Sequence, residues 1–168
     1  MTEIRTARLT LRAIREEDIE DVLAILCDGK VAETYMLPDM SDPETALKLA
    51  RRFRLLSEDP ERFVYGVCLN DRVIGLVNEV DKSEDTIELG YVIRPDCWNK
   101  GYATEMLKAV IQALFARGWR VVRTGYFEEN PASGRVMEKA GMHPIEHVDQ
   151  VEYRGITHRC FYYEIQNR

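Results

Sequence analysis

The segment that most restricts the fold of this chain is the turn at residues 98–105, Trp-Asn-Lys-Gly-Tyr-Ala-Thr-Glu. The apolar and β-branched run at 86–93 predicts a strand before it, and an amphipathic pattern over 102–117 predicts a helix after it. A small-residue turn that opens a helix leaves backbone N–H groups unpaired, with the positive end of the helix dipole behind them. This arrangement is typical of a phosphate site. The alternative is an ordinary strand-to-helix connection.

Length and charge restrict the class of protein. The 168 residues fit one domain, which we expect to span 1–168. No apolar run approaches the roughly 18 residues that would cross a membrane, and the N-terminus lacks the apolar core of a signal peptide. We therefore expect a cytoplasmic protein without a membrane partner. A net charge of −6 disfavours nucleic acid as a partner.

Metal and disulfide chemistry have little support in the sequence. The four cysteines are widely spaced and form no C-x-x-C pair, which disfavours a disulfide framework or a zinc ribbon. His143 and His147 are four residues apart, but Pro144 disfavours a helix that would align them. We expect no metal.

The order of the patterns predicts a mixed α/β fold. Strands are predicted at 8–14, 63–69, 73–80, 86–93, 121–126, 147–153 and 157–165, and helices at 16–29, 41–57, 102–117 and 130–141. Gly29 is expected to end the first helix, and Ser41-Asp-Pro-Glu44 is typical of a capping box at the start of the second. We expect a single twisted mixed sheet of about seven strands, with antiparallel central strands and helices on both faces.

Two further features accompany the turn. Glu88 shares one face of its strand with Gly90 and Val92, and an acid in an apolar strand is costly unless it faces a cleft, a partner or a functional group. Asn130-Pro-Ala-Ser133 places two polar side chains at the start of a helix that directly follows a strand. A plain helix cap is the alternative for that second motif.

Together, residues 95–105, 130–133 and 138–141 resemble the signatures of the GNAT superfamily of acetyl-coenzyme A-dependent N-acetyltransferases. The RimJ/RimL branch, which holds the ribosomal-protein N-terminal acetyltransferases, is the more similar part of that superfamily. The resemblance extends in element order from residue 8 to 165. It implies a GNAT-like fold, acetyl-CoA as co-substrate and a primary amine as acceptor, either a protein or peptide N-terminus or a small molecule. It also makes a homodimer a reasonable expectation.

The resemblance also implies a set of coenzyme-binding residues. The pyrophosphate would bind to the loop amides of Asn99, Lys100, Gly101, Tyr102, Ala103 and Thr104. The pantetheine arm would pair with the end of the preceding strand, at Tyr91, Val92 and Ile93. Asn130 and Ser133 would contact the pantetheine or the acyl centre. For Lys100, a solvated surface lysine is the alternative.

Glu88 is the first candidate for the base that accepts the amine proton, directly or through a water, and Glu79 is the second. An ion pair with a nearby arginine is the structural alternative for Glu88. Ser133 is expected to stabilise the leaving thiolate, with Asn130 beside it at the catalytic centre. A backbone N–H near Ile93 is expected to polarise the thioester carbonyl.

The chain departs from the family pattern in two places. The general pattern has Arg or Gln three residues before the first glycine of the loop, where this chain has Trp98. Many members carry a proton-donating tyrosine four residues beyond the position of Ser133, where this chain has Met137. The proton donor is therefore open. A non-catalytic acyl-CoA-binding sensor or interaction module is the competing interpretation.

Acceptor specificity is expected to come from two variable segments. They are the loop at 34–40 and the final hairpin around 153–158. The sequence leaves the identity of the acceptor open.

Overall fold

The computed structural model describes residues 2–167 and has one eight-stranded sheet, flanked by helices. The strands are β1 (Ile4–Arg5), β2 (Thr10–Arg12), β3 (Val64–Leu69), β4 (Arg72–Lys82), β5 (Thr86–Ile93), β6 (Val121–Phe127), β7 (His143–Tyr153) and β8 (Ile156–Gln166). The helices are α1 (Ile19–Leu26), α2 (Gly29–Ala32), α3 (Pro43–Glu58), α4 (Tyr102–Ala116) and α5 (Pro131–Lys139). The strand order is β1-β2-β3-β4-β5-β6-β8-β7.

The predicted fold class is confirmed, with eight strands instead of about seven. The additional strand is β1, a two-residue edge strand that pairs Ile4 with Leu11. A run of two residues is too short to show the alternation by which strands are recognised in a sequence.

Apolar side chains from the two faces of the sheet form two separate clusters. On one face, α4 and α5 bury Met106, Leu107 and Met137 against the strands. On the other face, α1 and α3 bury Val22 and Phe53. Because both faces are covered, the central strands contain near-continuous apolar runs.

Three local expectations were wrong. Gly29 begins α2 instead of ending the first helix, because the Asp28 carboxylate caps α2 by accepting hydrogen bonds from the amides of Lys30 and Val31. Asp42, not Ser41, is the N-cap of α3. Strand β7 starts at His143, four residues earlier than predicted. Pro144 is tolerated because β7 is an edge strand with a bulge between Pro144 and Val148.

Neighbouring strands are antiparallel except for β5 and β6, which are parallel and are joined through α4. Their pairing runs from Thr86 with Val121 to Leu89 with Thr124, and stops there. Beyond that point β5 remains bonded to β4 and β6 remains bonded to β8. The two strands therefore separate while each keeps its outer neighbour.

No helix within residues 2–167 is both long enough and apolar enough to cross a membrane.

A buried ion pair joins β2 to the turn before α1. The Arg12 guanidinium donates to both carboxylate oxygens of Asp18, at 2.6 and 3.0 Å, and both side chains are only 5% exposed. Burial favours the neutral acid, but the hydrogen bonds from Arg12 and from the Arg15 amide outweigh it and hold the pKa of Asp18 below its usual range. A carboxyl with a lowered pKa stabilises the fold above its unfolded pKa, and this contribution is lost as the pH falls through the folded pKa.

We expect Asp18→Asn to lower the free energy of unfolding by about 3 kcal/mol at pH 7, because Arg12 is left buried without its counter-charge. The variant should also lose stability less steeply than the wild type on acidification below about pH 4. Urea denaturation at several pH values measures both effects. Glu17→Gln, in an exposed pair with Arg15, is the control and should leave the midpoint unchanged. A wild-type midpoint for Asp18→Asn would contradict this role.

Candidate functional site

The separation of β5 and β6 opens a cavity of about 390 Å³. One wall is residues 90–93 of β5 and the other is residues 124–126 of β6. At the closed end, the buried Thr124 hydroxyl donates to the Leu89 carbonyl at 2.9 Å and fixes the point of separation. The two strands therefore form a fork beyond this point, and residues 91–93, expected to pair with a pantetheine arm, are at its β5 side.

Backbone polar groups of β5 point into this fork. The Arg94 amide bonds to Ile74 on the β4 side. Since successive residues of a strand alternate their N–H and C=O directions, Ile93 and Tyr91 turn theirs toward β6, which no longer pairs with β5 there. The Ile93 carbonyl accepts from the Trp98 indole at 2.6 Å. The amides of Tyr91 and Ile93 remain available to an extended ligand.

The turn between β5 and α4 presents its amides to the same cavity. Gly101 is the N-cap of α4 with φ +81°, and Asn99 has φ +58°; neither provides a side-chain cap. Within residues 2–167 the amides of Asn99, Lys100 and Gly101 have no hydrogen-bond partner. The first turn of α4 adds further free N–H groups. The turn therefore presents several unpaired amides at the start of α4.

Arg8 and Glu105 hold this turn from outside. The Arg8 guanidinium bonds to the Lys100 carbonyl at 2.9 Å and to Glu105 at 2.7 Å, and it stacks on the Tyr102 ring at 4.5 Å. Partial burial raises the pKa of Glu105, but hydrogen bonds from Thr6 and Arg8 outweigh it, so its pKa lies below the usual range. The carboxylate is therefore ionised at neutral pH, and the turn is held in place before any ligand arrives.

The start of α5 forms the second polar wall of the cavity. Asn130 is the N-cap, yet within residues 2–167 its side chain makes no capping hydrogen bond. Ser133 Oγ lies 2.9 Å from the Tyr91 hydroxyl, and all three residues line the cavity. Because the Asn130 side chain does not cap the helix, it is free to contact a ligand.

The two candidate bases lie in different environments. Glu88 is half-buried and, within the part of the chain described, makes no hydrogen bond or salt bridge. Loss of hydration raises the pKa of Glu88, an effect only partly opposed by Arg123, which pairs with Glu164 instead. Glu79 is buried and its carboxylate is occupied by the Phe63 amide, Arg62 and Lys82.

Ten of the predicted site residues line the cavity. They are Tyr91, Val92, Ile93, Asn99, Gly101, Tyr102, Ala103, Thr104, Asn130 and Ser133. Lys100 is not among the lining residues, and its ammonium donates to the Asp96 carbonyl at 2.8 Å. Glu88 does not line the cavity either. It lies two residues from Gly90, which does, at a distance of about 7 Å along the strand.

Sequence reasoning missed two cations at the cavity. Arg135 and Lys139 of α5 line it, and within residues 2–167 neither forms a salt bridge. Their i, i+4 spacing places them on one face of a helix, together with Ala132, which also lines the cavity. That spacing was visible in the sequence, and it places two cations at the cavity.

The segments expected to select the acceptor meet at the other end of the cavity. The Tyr153 hydroxyl donates to the Ala32 carbonyl at 2.7 Å and accepts from the Leu37 amide, which fastens the β7–β8 hairpin to the loop after α2. Thr34 and Tyr35 of that loop line the cavity. The Tyr35 hydroxyl donates to Asn78 on β4 at 2.6 Å.

Comparison with known proteins gives a consistent result. The acetyltransferase (GNAT) domain family matches residues 8–143. Two uncharacterised N-acetyltransferases of Bacillus subtilis are similar: YoaA is 28% identical, covering 92% of this chain and 90% of its own, and YnaD is 30% identical, covering 83% and 81%. RimL, a ribosomal alpha-N-protein acetyltransferase solved in complex with coenzyme A, superposes with a TM-score of 0.84 at 18% identity, with 98% of each chain covered.

The chain belongs to the GNAT acetyltransferase family, and the prediction of an N-acetyltransferase is confirmed. The likeness to RimL shows the shared fold.

We expect Gly101→Glu to weaken acetyl-CoA binding at least 100-fold, because it adds a carboxylate among the amides that face a phosphate and a Cβ 3.3 Å from Arg8 Nη2. Isothermal titration measures the affinity. Gly118→Glu is the matched control: Gly118 follows α4 at its other end with φ +95° and open space around it. It carries similar backbone strain and should retain wild-type affinity. Equal losses in both variants would exclude a local effect at the turn.

Proposed function

We propose that this protein transfers an acetyl group from acetyl-CoA directly to a primary amine. The observation that carries the proposal is the fork between β5 and β6, which opens toward two unpaired sets of polar groups. The free amides at residues 99–101 and the first turn of α4 suit the pyrophosphate, with Arg135 and Lys139 adding positive charge. The amides of Tyr91 and Ile93 suit the amides of a pantetheine arm, which would replace β6 as a neighbour of β5.

Direct transfer fits the residues around the cavity better than an acyl-enzyme route. The cysteine that lines the cavity is Cys97, and burial is the main cause that raises the pKa of its thiol. A thiol with a raised pKa is a poor nucleophile at neutral pH. The acceptor amine must therefore attack the thioester itself, after losing the proton that it carries in water.

Glu88 is the base that we propose for that proton, acting through a water. Its side chain is on the same strand face as Gly90, which lines the cavity beside Tyr35 and the acceptor loop. Its pKa is raised by loss of hydration, which makes it a stronger base than a solvated glutamate. Glu79 is unsuited to the task because three groups already hold its carboxylate.

The acceptor is an amine whose remaining structure contacts the loop after α2 and the β7–β8 hairpin. A protein N-terminus, as in the RimJ/RimL branch, and a small-molecule amine are the two classes to compare. A panel of N-terminal peptides, amino acids, polyamines and aminoglycosides, with thiol release as the readout, tests the proposal. Release of coenzyme A thiol with one class supports it. Tight binding of acetyl-CoA without turnover of any amine would instead favour a sensor or interaction module.

We expect Glu88→Gln to lower kcat by about 100-fold or more, the usual contribution of a general base. In the wild type, kcat/KM should rise as Glu88 loses its proton, at a pH above the usual glutamate range of about 4.3, because only the carboxylate accepts a proton. The variant should lack this acid limb. Glu79→Gln is the control, which we expect to lower thermal stability while keeping the limb. A pH profile of Glu88→Gln that parallels the wild type would eliminate Glu88 as the base.

A further inference from the structure

The Tyr91 side chain reaches the start of α5 from the opposite wall of the cavity. Its hydroxyl lies 2.9 Å from Ser133 Oγ and 3.5 Å from the Ser133 carbonyl oxygen. Within residues 2–167 these are the only polar contacts of the phenol, and both residues line the cavity. The expected coenzyme contact of Tyr91 involves its backbone and leaves this hydroxyl without a role.

We propose that Tyr91 is a positioning residue for acetyl transfer: its hydroxyl holds the Ser133 hydroxyl so that the serine hydrogen points at the sulfur that leaves. The inference rests on the proposed function. It assigns the stabilisation of the leaving group to a pair of hydroxyls carried by β5 and α5.

The direction of the Tyr91–Ser133 hydrogen bond follows from the charge that develops. Geometry allows either hydroxyl to donate. As the C–S bond breaks, the sulfur becomes an anion, and hydrogen bonds to a charged acceptor are about twice as strong as neutral ones. Ser133 therefore donates to sulfur, and its own oxygen then accepts from Tyr91. Each bond of such a chain strengthens the next, and the positive end of the α5 dipole acts in the same sense.

The acidity of the groups decides against proton transfer from the phenol. Burial raises the pKa of Tyr91 to about 12, with the hydrogen bond to Ser133 a smaller opposing effect. A thiol has a pKa of about 8.5, so proton transfer from this phenol to the thiolate is unfavourable by more than three pKa units. Tyr91 thus keeps its proton at every pH of interest and acts as a hydrogen-bond donor.

The bond changes balance without a proton from either hydroxyl. The neutral amine forms the C–N bond, and the C–S bond breaks with its electron pair on sulfur. The ammonium proton passes through the water beside Glu88 to solvent before the attack, and the second proton, which nitrogen releases as the C–N bond forms, then passes to the Glu88 carboxylate. The thiolate takes a proton from solvent once it leaves the cavity.

Met137, which stands where many family members have a proton-donating tyrosine, takes no part in this chemistry. Met137 is fully buried in the cluster between α5 and the sheet. Its side chain contributes to packing and brings no hydroxyl to the cavity. Tyr91, by contrast, reaches the N-terminal end of α5 from β5 and contacts Ser133 there.

The thiol of bound coenzyme A gives a readout that a purely structural residue would not change. The thiolate absorbs in the ultraviolet, and the complex with desulfo-coenzyme A serves as the blank that removes tyrosine ionisation. We expect Tyr91→Phe and Ser133→Ala each to raise the pKa of the bound thiol by about one unit, since a tenfold loss of thiolate stabilisation is one unit. An unchanged pKa in Tyr91→Phe would overturn the proposal.

Steady-state kinetics provide an independent measurement. We expect Tyr91→Phe to lower kcat about tenfold and Ser133→Ala about 10- to 100-fold, with KM for acetyl-CoA within twofold of wild type. The double variant should be no slower than Ser133→Ala, because Tyr91 acts through Ser133. Independent, multiplying losses would contradict this coupling.

Tyr163→Phe is the matched control. The Tyr163 hydroxyl also bonds to α5, at Glu138 Oε1 (2.8 Å), but Tyr163 does not line the cavity. We expect wild-type kcat and thiol pKa for this variant. If Tyr163→Phe shifted the pKa of the bound thiol as much as Tyr91→Phe does, the effect of Tyr91 would be explained by its support of the helix alone. The thiol titration needs no acceptor, so a protein that binds coenzyme A but acetylates no amine would contradict the proposed function and leave this readout intact.

Discussion

The structure depends on the point at which β5 and β6 stop pairing. A parallel pair that loses its hydrogen bonds in the middle of a sheet normally leaves buried polar groups unsatisfied, at a cost of about 1–3 kcal/mol each. Here the outer neighbours β4 and β8 hold the strands in place, and the Thr124 hydroxyl satisfies the last carbonyl, that of Leu89. The groups that remain unpaired are the amides of Tyr91 and Ile93, which an extended ligand could bond as a neighbouring strand would. Contacts within the fold itself therefore hold the two arms of the fork.

Close packing around two glycines keeps the β6 wall in place. A Cβ at Gly125 would lie 2.8 Å from the Tyr162 ring, and one at Gly134 would lie 2.9 Å from Tyr126. Tyr126 packs on α5 at that point, so the helix start and the strand move as one unit. Because Ser133 is in that helix start, its position relative to β6 is set by this packing.

The sequence was sufficient for the fold class and for most of the cavity because those features follow from local patterns. The turn at 98–105 and the motif at 130–133 each combine a strand end with a helix start, and both occur where predicted. The missed features depend on side chains that meet across the sheet. The residues around Tyr91 in the sequence do not predict that its hydroxyl contacts Ser133, 42 residues later.

Charge placement shows the same limit. Lys100 is a candidate phosphate ligand in the sequence because it lies beside the glycine turn, but in the structure its ammonium donates a hydrogen bond to the Asp96 carbonyl. Arg135 and Lys139 reach the cavity because α5 is laid across the end of β6, a matter of tertiary packing. Glu79 is the second candidate base in the sequence, and nothing in its own strand shows that the Phe63 amide, Arg62 and Lys82 occupy its carboxylate.

Alternation along β5 separates the two halves of the proposed reaction. Glu88 and Gly90 lie on the face of the sheet that α1 and α3 cover, where Gly90 is beside Tyr35 of the acceptor loop, whereas Tyr91 faces α5 and Ser133. A sheet that is closed at this position would keep these groups apart, because no atom could contact both faces. The fork removes that barrier at residues 90–93, so that a thioester placed there would be open to an amine from one face while its sulfur meets hydroxyls on the other. With the role proposed for Tyr91, Met137 in place of tyrosine is compatible with catalysis, because the strand supplies a phenol on the side of Ser133.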